Sequence, residues 1–133
     1  MKIDGLITVR SSFGHGETLA RFEAAVRANG LRVVASVDHA IAAFEAGVSL
    51  DAMTVLMFAD GARQAALMKA LPLIALELPY RVLVSQRSGG TWLSYIDFRW
   101  LATRYEAGPE EVRLVTDLAV MIDGIARKAA SRP

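Results

Sequence analysis

Apolar and polar positions alternate loosely from Ile3 to Arg10, with β-branched residues among them, and this predicts a first strand. Ser11-Ser12-Phe13-Gly14-His15-Gly16 reads as a turn. The period then lengthens. Leu19, Phe22 and Val26 share one face of a helix predicted over 17–29, with Glu17 in its first turn and Asn29-Gly30 as its stop. A second strand is predicted over 31–37, with Leu31, Val33, Ala35 and Val37 on one side. Ala40 to Ala46 predicts a short helix, stopped by Gly47. Met53 to Phe58 is an unbroken apolar run of strand length, the pattern of a strand buried on both faces. Asp60-Gly61 ends it, and a helix is predicted over 62–70.

Pro72 and Pro79 bracket a segment that reads as loop or irregular helix. Tyr80 to Gln86 and Thr91 to Ile96 read as a hairpin around Arg87-Ser88-Gly89-Gly90. Asp97 to Tyr105 reads as a short helix. The last helix, from Glu110 to about Lys128, carries the clearest stripe: Val112, Val115, Leu118, Ala119, Ile122 and Ile125. Its acidic start and basic end suit the helix dipole. The element order β-α-β-α-β-α-β-β-α-α predicts an α+β domain, a mainly antiparallel sheet of about five strands with helices on one face. The uncovered face would carry apolar residues such as Val34 and Leu83, and an isologous homodimer is the simplest cover for it.

Composition adds bounds. The 133 residues fit one domain, 1–133, with 109–130 read as a C-terminal helical extension. Apolar residues make up 53%, which also favours a self-association face. Fifteen basic and fourteen acidic residues give +1, a balance that points to neither a nucleic-acid nor a membrane partner. The absence of cysteine excludes thiolate nucleophiles, disulfides and thiolate metal sites. Asp4 and the lack of a following apolar run argue against a secretory signal, and no apolar run approaches the about 18 residues of a membrane span. A cytoplasmic location is the expectation. Histidine spacing fits no metal motif, Gly14-x-Gly16 lacks the third glycine of a dinucleotide loop, and no P-loop or nucleophile elbow is present, so no cofactor is expected.

The candidate chemistry lies at two strand exits, Val37-Asp38-His39-Ala40 and Trp92-Leu93-Ser94-Tyr95-Ile96-Asp97. If their strands share a sheet, His39, Tyr95 and Asp97 are placed to line one pocket, with Arg81 as charge partner for an anionic ligand. The competing reading makes Asp38 and Asp97 helix caps and Tyr95 a core residue. His15, between two glycines before a helix, is either a solvated turn residue or the edge of an anion site.

Several pieces, taken in order, resemble the DUF302 family. They are Glu17-Thr18-Leu19 through Phe22-Glu23, Val37-Asp38-His39-Ala40, Ala46-Gly47-Val48 and Val55-Leu56-Met57-Phe58, then Leu76 through Val84 and Trp92-Leu93-Ser94-Tyr95. The resemblance implies a TATA-box-binding-protein-like fold, β-α-β(4)-α, and a homodimer, but not DNA binding. Two departures stand out. Ala59-Asp60-Gly61 replaces the Gly-Asn-Pro frequent in relatives, and Ile96 stands between Tyr95 and Asp97 where relatives often carry an amide. The functions to be separated are a small-ligand-binding or sensor module near the strand ends, a dimeric interaction protein, and a small enzyme with His39 as general base.

Overall fold

The computed structural model describes residues 2–133. Its strands are β1 (Leu6–Ser11), β2 (Arg32–Asp38), β3 (Met53–Ala59), β4 (Tyr80–Arg87) and β5 (Gly90–Ile96). Its helices are α1 (His15–Ala28), α2 (His39–Glu45), α3 (Gly61–Ala70), α4 (Phe98–Arg104) and α5 (Pro109–Ala130), and a 3-10 helix spans Pro72–Glu77. The strands form one sheet in the order β1-β5-β4-β3-β2, and every neighbouring pair is antiparallel.

One sheet face is the core. Leu56, Phe58, Tyr80, Val82, Val84, Leu93 and Tyr95 point into it from the inner strands, and Phe22, Val26, Leu67, Leu101, Val115, Leu118 and Ile122 meet them from the helices. An aromatic series crosses the layer: Phe22, Phe58, Tyr80 and Phe98 follow one another at centroid spacings of 5.4, 5.4 and 5.6 Å. These are edge-on or tilted contacts of the kind that stabilise beyond area alone. α5 lies across α1, α4, α3 and β1. It buries Val115, Leu118, Ala119, Ile122, Ile125, Ala126, Ala129 and Ala130, so the segment expected as an extension completes the core.

Local chemistry explains where the elements begin. Gly5 takes φ +78 and the Leu6 amide donates to Ile3, so the chain turns before β1 and the strand starts at Leu6 rather than Ile3. Asp38, Asp60 and Asp97 each cap a helix by accepting a backbone N–H, from Ile41, Arg63 and Arg99. α1 begins at His15, two residues before its expected start. The β4–β5 turn has two residues, Ser88 and Gly89, both in the left-handed region as a tight hairpin requires.

Two expectations about faces change. β3 is buried on one face only: Thr54, Leu56 and Phe58 are buried, while Met53, Val55 and Met57 are half-exposed. The reason is the antiparallel sheet, whose second face no helix layer covers. In β2, a bulge between Val33 and Ala35 divides the row expected on one side. Val33 pairs with core-facing Phe58, whereas Ala35 and Val37 pair with Met57 and Val55 on the other face.

Candidate functional site

The alternation that fills the core from one side of β4 and β5 builds the opposite face from their other residues. Arg81, Leu83, Ser85 and Arg87 come from β4, Trp92, Ser94 and Ile96 from β5, Leu6, Thr8 and Arg10 from β1, and Met53 and Val55 from β3. Two adjoining grooves lie on this face. One, about 200 Å³, is lined by Leu6, Val55, Glu77, Arg81, Leu83, Ser94, Tyr95 and Ile96. The other, about 340 Å³, is lined by Ile3, Leu6, Thr8, Met53, Leu83, Ser85, Arg87 and Ser94. Leu6, Leu83 and Ser94 border both, so the grooves form one trough with Arg81 at one end and Arg87 at the other. Six residues of extended strand separate these arginines by about 20 Å.

The middle of the trough is apolar, with a short polar seam. Thr8 and Ser94 share a hydroxyl hydrogen bond of 3.0 Å across the β1–β5 pair. Ser85, 3% exposed, lies beside them on the floor of the second groove. Arg81 has one carboxylate neighbour, Glu77, at 3.9 Å, beyond hydrogen-bond length. Glu77 instead accepts the Tyr105 hydroxyl at 2.7 Å, a bond that raises the Tyr105 pKa. The Arg81 guanidinium, half-exposed, therefore keeps donors for another anion.

Of the residues picked out in the sequence, Arg81 and Tyr95 border the same groove; His39 and Asp97 do not line it. The Tyr95 side chain leaves the sheet on the helix side, where its hydroxyl donates to Asp123 of α5 at 2.5 Å. Burial, then this bond, raise the Tyr95 pKa well above the ordinary phenol value. Desolvation pushes the Asp123 carboxyl up, but hydrogen bonds from Arg127 and Tyr95 outweigh it and hold the pKa below the usual carboxylate value. The phenol is thus spent on a structural bond and offers no proton to the trough.

Asp97 caps α4 and pairs with the Arg99 guanidinium at 2.9 Å. His39, exposed, opens α2 at the end of β2. β2 and β5 are three strand spacings apart, about 14 Å, and His39 lies at the opposite end of its strand pair from Tyr95. His15, in the first turn of α1, makes a 3.1 Å hydrogen bond with Thr54 of β3. The described residues contain no group of three or more side chains placed to hold a metal ion.

Leu6, Thr8, Glu77 and Ser85 went unmarked in the sequence, as did the Asp123 partner of Tyr95, while Leu83 was expected only as part of an uncovered apolar face and Ser94 only as part of a strand exit. One signal was available for the first set: Arg81-x-Leu83-x-Ser85-x-Arg87 is a period-2 row with charged ends.

Comparison with known proteins places this geometry in a family. The chain is 35% identical over 117 residues to fluoride-specific ion channel FluC 1 of Brucella suis, covering 87% of this chain and 44% of that protein. The match to FluC 1 of Brucella abortus has the same identity and covers 42% of that protein. The chain therefore spans less than half the length of these curated relatives. No helix among the described residues is long and apolar enough to cross a membrane. The crystal structure of an uncharacterized conserved DUF302 protein from Bacillus stearothermophilus superposes with a TM-score of 0.88 at 20% identity, covering 96% of this chain and 99% of that one. The family model of the domain of unknown function DUF302 matches residues 7–129, and the chain belongs to that family.

Proposed function

We propose that the chain is a ligand-binding module and that the uncovered sheet face is its binding surface, taking a small amphipathic anion with its charged end at Arg81. The carrying observation is the guanidinium of Arg81, 3.9 Å from a carboxylate already held by Tyr105, at the end of an apolar trough. A carboxylate head supplies the missing acceptor, and an aliphatic tail lies along Leu6, Val55 and Leu83. Arg10, Arg81 and Arg87 make this face positive, with Glu77 as the acidic lining residue, so an anion complements it better than a neutral ligand does. A binding or sensor role also suits a unit that corresponds to less than half of the relatives' length. The fluoride conduction in the relatives' name is not carried over to this chain.

Titration with decanoate, followed by calorimetry below its micelle threshold, is the test. Saturable binding is expected, weakened about tenfold in Arg81→Ala through loss of a charge-assisted bond. Unchanged affinity in that variant, or no saturable heat, overturns the reading.

A second reading is favoured by the exposed Leu6 and Val37 on the same face, and by Ile3 beside it: a second copy of the chain covers this surface as a homodimer. Native mass spectrometry reads it directly. A dimer that dissociates in Leu83→Glu supports this interface, and a monomer at all concentrations overturns it. The enzyme reading finds less support, because His39 lines neither groove of the trough.

A further inference from the structure

We propose that the trough takes a ligand with an acid group at each end, a long-chain α,ω-dicarboxylate, and that Arg10 and Arg87 together hold its second carboxylate. This rests on the reading of the trough as a binding surface and adds what its far end recognises. β4 carries a charge at either end of the trough, Arg81 near its start and Arg87 at its finish, on the same side of the strand. A monoacid anchored at Arg81 leaves the Arg87 end without an anion.

Three observations characterise that end. First, two guanidinium groups converge on one ring: Arg10 stands 5.4 Å from the centroid of Trp92 and Arg87 stands 5.3 Å from it. The strand register brings them there. Arg10 pairs with Trp92 across β1–β5, Ser85 pairs with Trp92 across β4–β5, and Arg87 lies two residues beyond Ser85. The two guanidinium carbons are thus no farther apart than those two distances together. That spacing is comparable with the Debye length at physiological salt, about 8 Å, so their repulsion is only partly screened. The indole face offsets part of this cost and leaves the in-plane N–H donors for an anion.

Second, no acid of the chain answers these cations. Neither arginine forms a salt bridge among the described residues, and Asp51, two residues before β3, pairs with neither. Glu77, the acidic residue lining the trough, lies at the Arg81 end. Two like charges gathered without a counter-ion favour a bound anion.

Third, Gly90 makes room for the pair. It is the strand partner of Arg87 and lies two residues before Trp92, on the same side of β5. A Cβ there would stand 3.3 Å from an Arg10 guanidinium nitrogen, so a side chain at this position would press on the group where it lies. Between the two charged ends the trough is bordered by Leu6, Val55 and Leu83, which match an aliphatic chain. Linking two acid heads makes the second contact intramolecular, and the gain is largest when the linker matches the span. The arginine side chains take up part of the distance between their strand positions, which suits a diacid of about fourteen carbons.

The test is calorimetric titration with tetradecanedioate and with its monomethyl ester, each below its aggregation threshold. The two ligands share a chain length and differ by one charge. The diacid is expected to bind about five- to tenfold tighter, one molecule per chain. Octanedioate, too short to reach both ends, is expected to show only the statistical gain of about twofold over its own monomethyl ester. Arg87→Gln is expected to bring the tetradecanedioate ratio down to about two, and Arg10→Gln to reduce it. Both arginines are exposed, so neither substitution removes core packing. A ratio of about two or less for the wild-type chain, a larger ratio that survives both substitutions, or two monoester molecules per chain each overturns the proposal. Decanoate binding that depends on Arg81, with no diacid gain, overturns this proposal alone. Decanoate binding that is indifferent to Arg81→Ala overturns the reading beneath it.

Discussion

Tyr95 shows how one side chain decides between chemistry and structure. The pairing of Tyr95 with Asp97 rests on a two-residue spacing that places both on one side of a strand. β5 ends at Ile96, so Asp97 has left the strand and turned to cap α4, while Tyr95 points into the helix layer. Nothing within 92–97 signals this, because the partner that orients the phenol, Asp123, is 28 residues away. The bond has a testable consequence. Asp123 is held below its ordinary pKa in the folded state, so its contribution to stability is full above the carboxylate range and is lost as pH falls through the depressed folded value. Tyr95→Phe is expected to cost about 1–2 kcal/mol at neutral pH. The difference from wild type should shrink in acid, once Asp123 is protonated in both. Urea unfolding across pH measures it, and a pH-independent difference would mean the hydroxyl acts through packing alone.

Helices and strands were readable in order because their periods differ, and the aspartates that cap α2, α3 and α4 stand at the positions where those helices begin. The faces of the edge strand were less legible. A bulge adds a residue without leaving a composition signature, so counting by twos from Leu31 sends Ala35 and Val37 to the wrong side. The contact between β1 and α4 is hidden for a similar reason. Gly5 holds φ +78 against the Trp100 ring, and a Cβ built there would overlap it, with its nearest ring atom at 2.3 Å. Gly5→Ala is therefore expected to destabilise by about 2–3 kcal/mol, from strain and overpacking together. Combining it with Trp100→Ala relieves the overpacking but leaves the backbone strain. A double-mutant cycle should show a favourable coupling above about 0.5 kcal/mol. Simple additivity would show that the ring moves aside at no cost.

At the scale of the molecule, strand order matters more than strand identity. β5 lies between β1 and β4, and β2 is at the far edge, so the exits of β2 and β5 are separated although each was identified from sequence. Their separation follows from pairings between β1 and β5, which are about 85 residues apart, and local pattern does not specify such pairings. The same long-range closure makes α5 part of the core. It packs against both the first helix and the first strand, and the family match continues to residue 129. Val115, Leu118, Ile122 and Ile125 are each at most 3% exposed. Burying such side chains contributes about 1.5–3 kcal/mol apiece, about 6–12 kcal/mol together. That is comparable with the whole stability of a domain of this size, about 5–15 kcal/mol. A chain ending at Gly108 would also uncover the sides of α1 and α4 against which α5 packs. It is expected to lose cooperative thermal unfolding and to bind a hydrophobic dye, as a collapsed but unpacked chain does. A sharp calorimetric transition in that truncated chain would show that the sheet with α1 and α4 is a folding unit by itself, and that α5 is docked onto it rather than required by it.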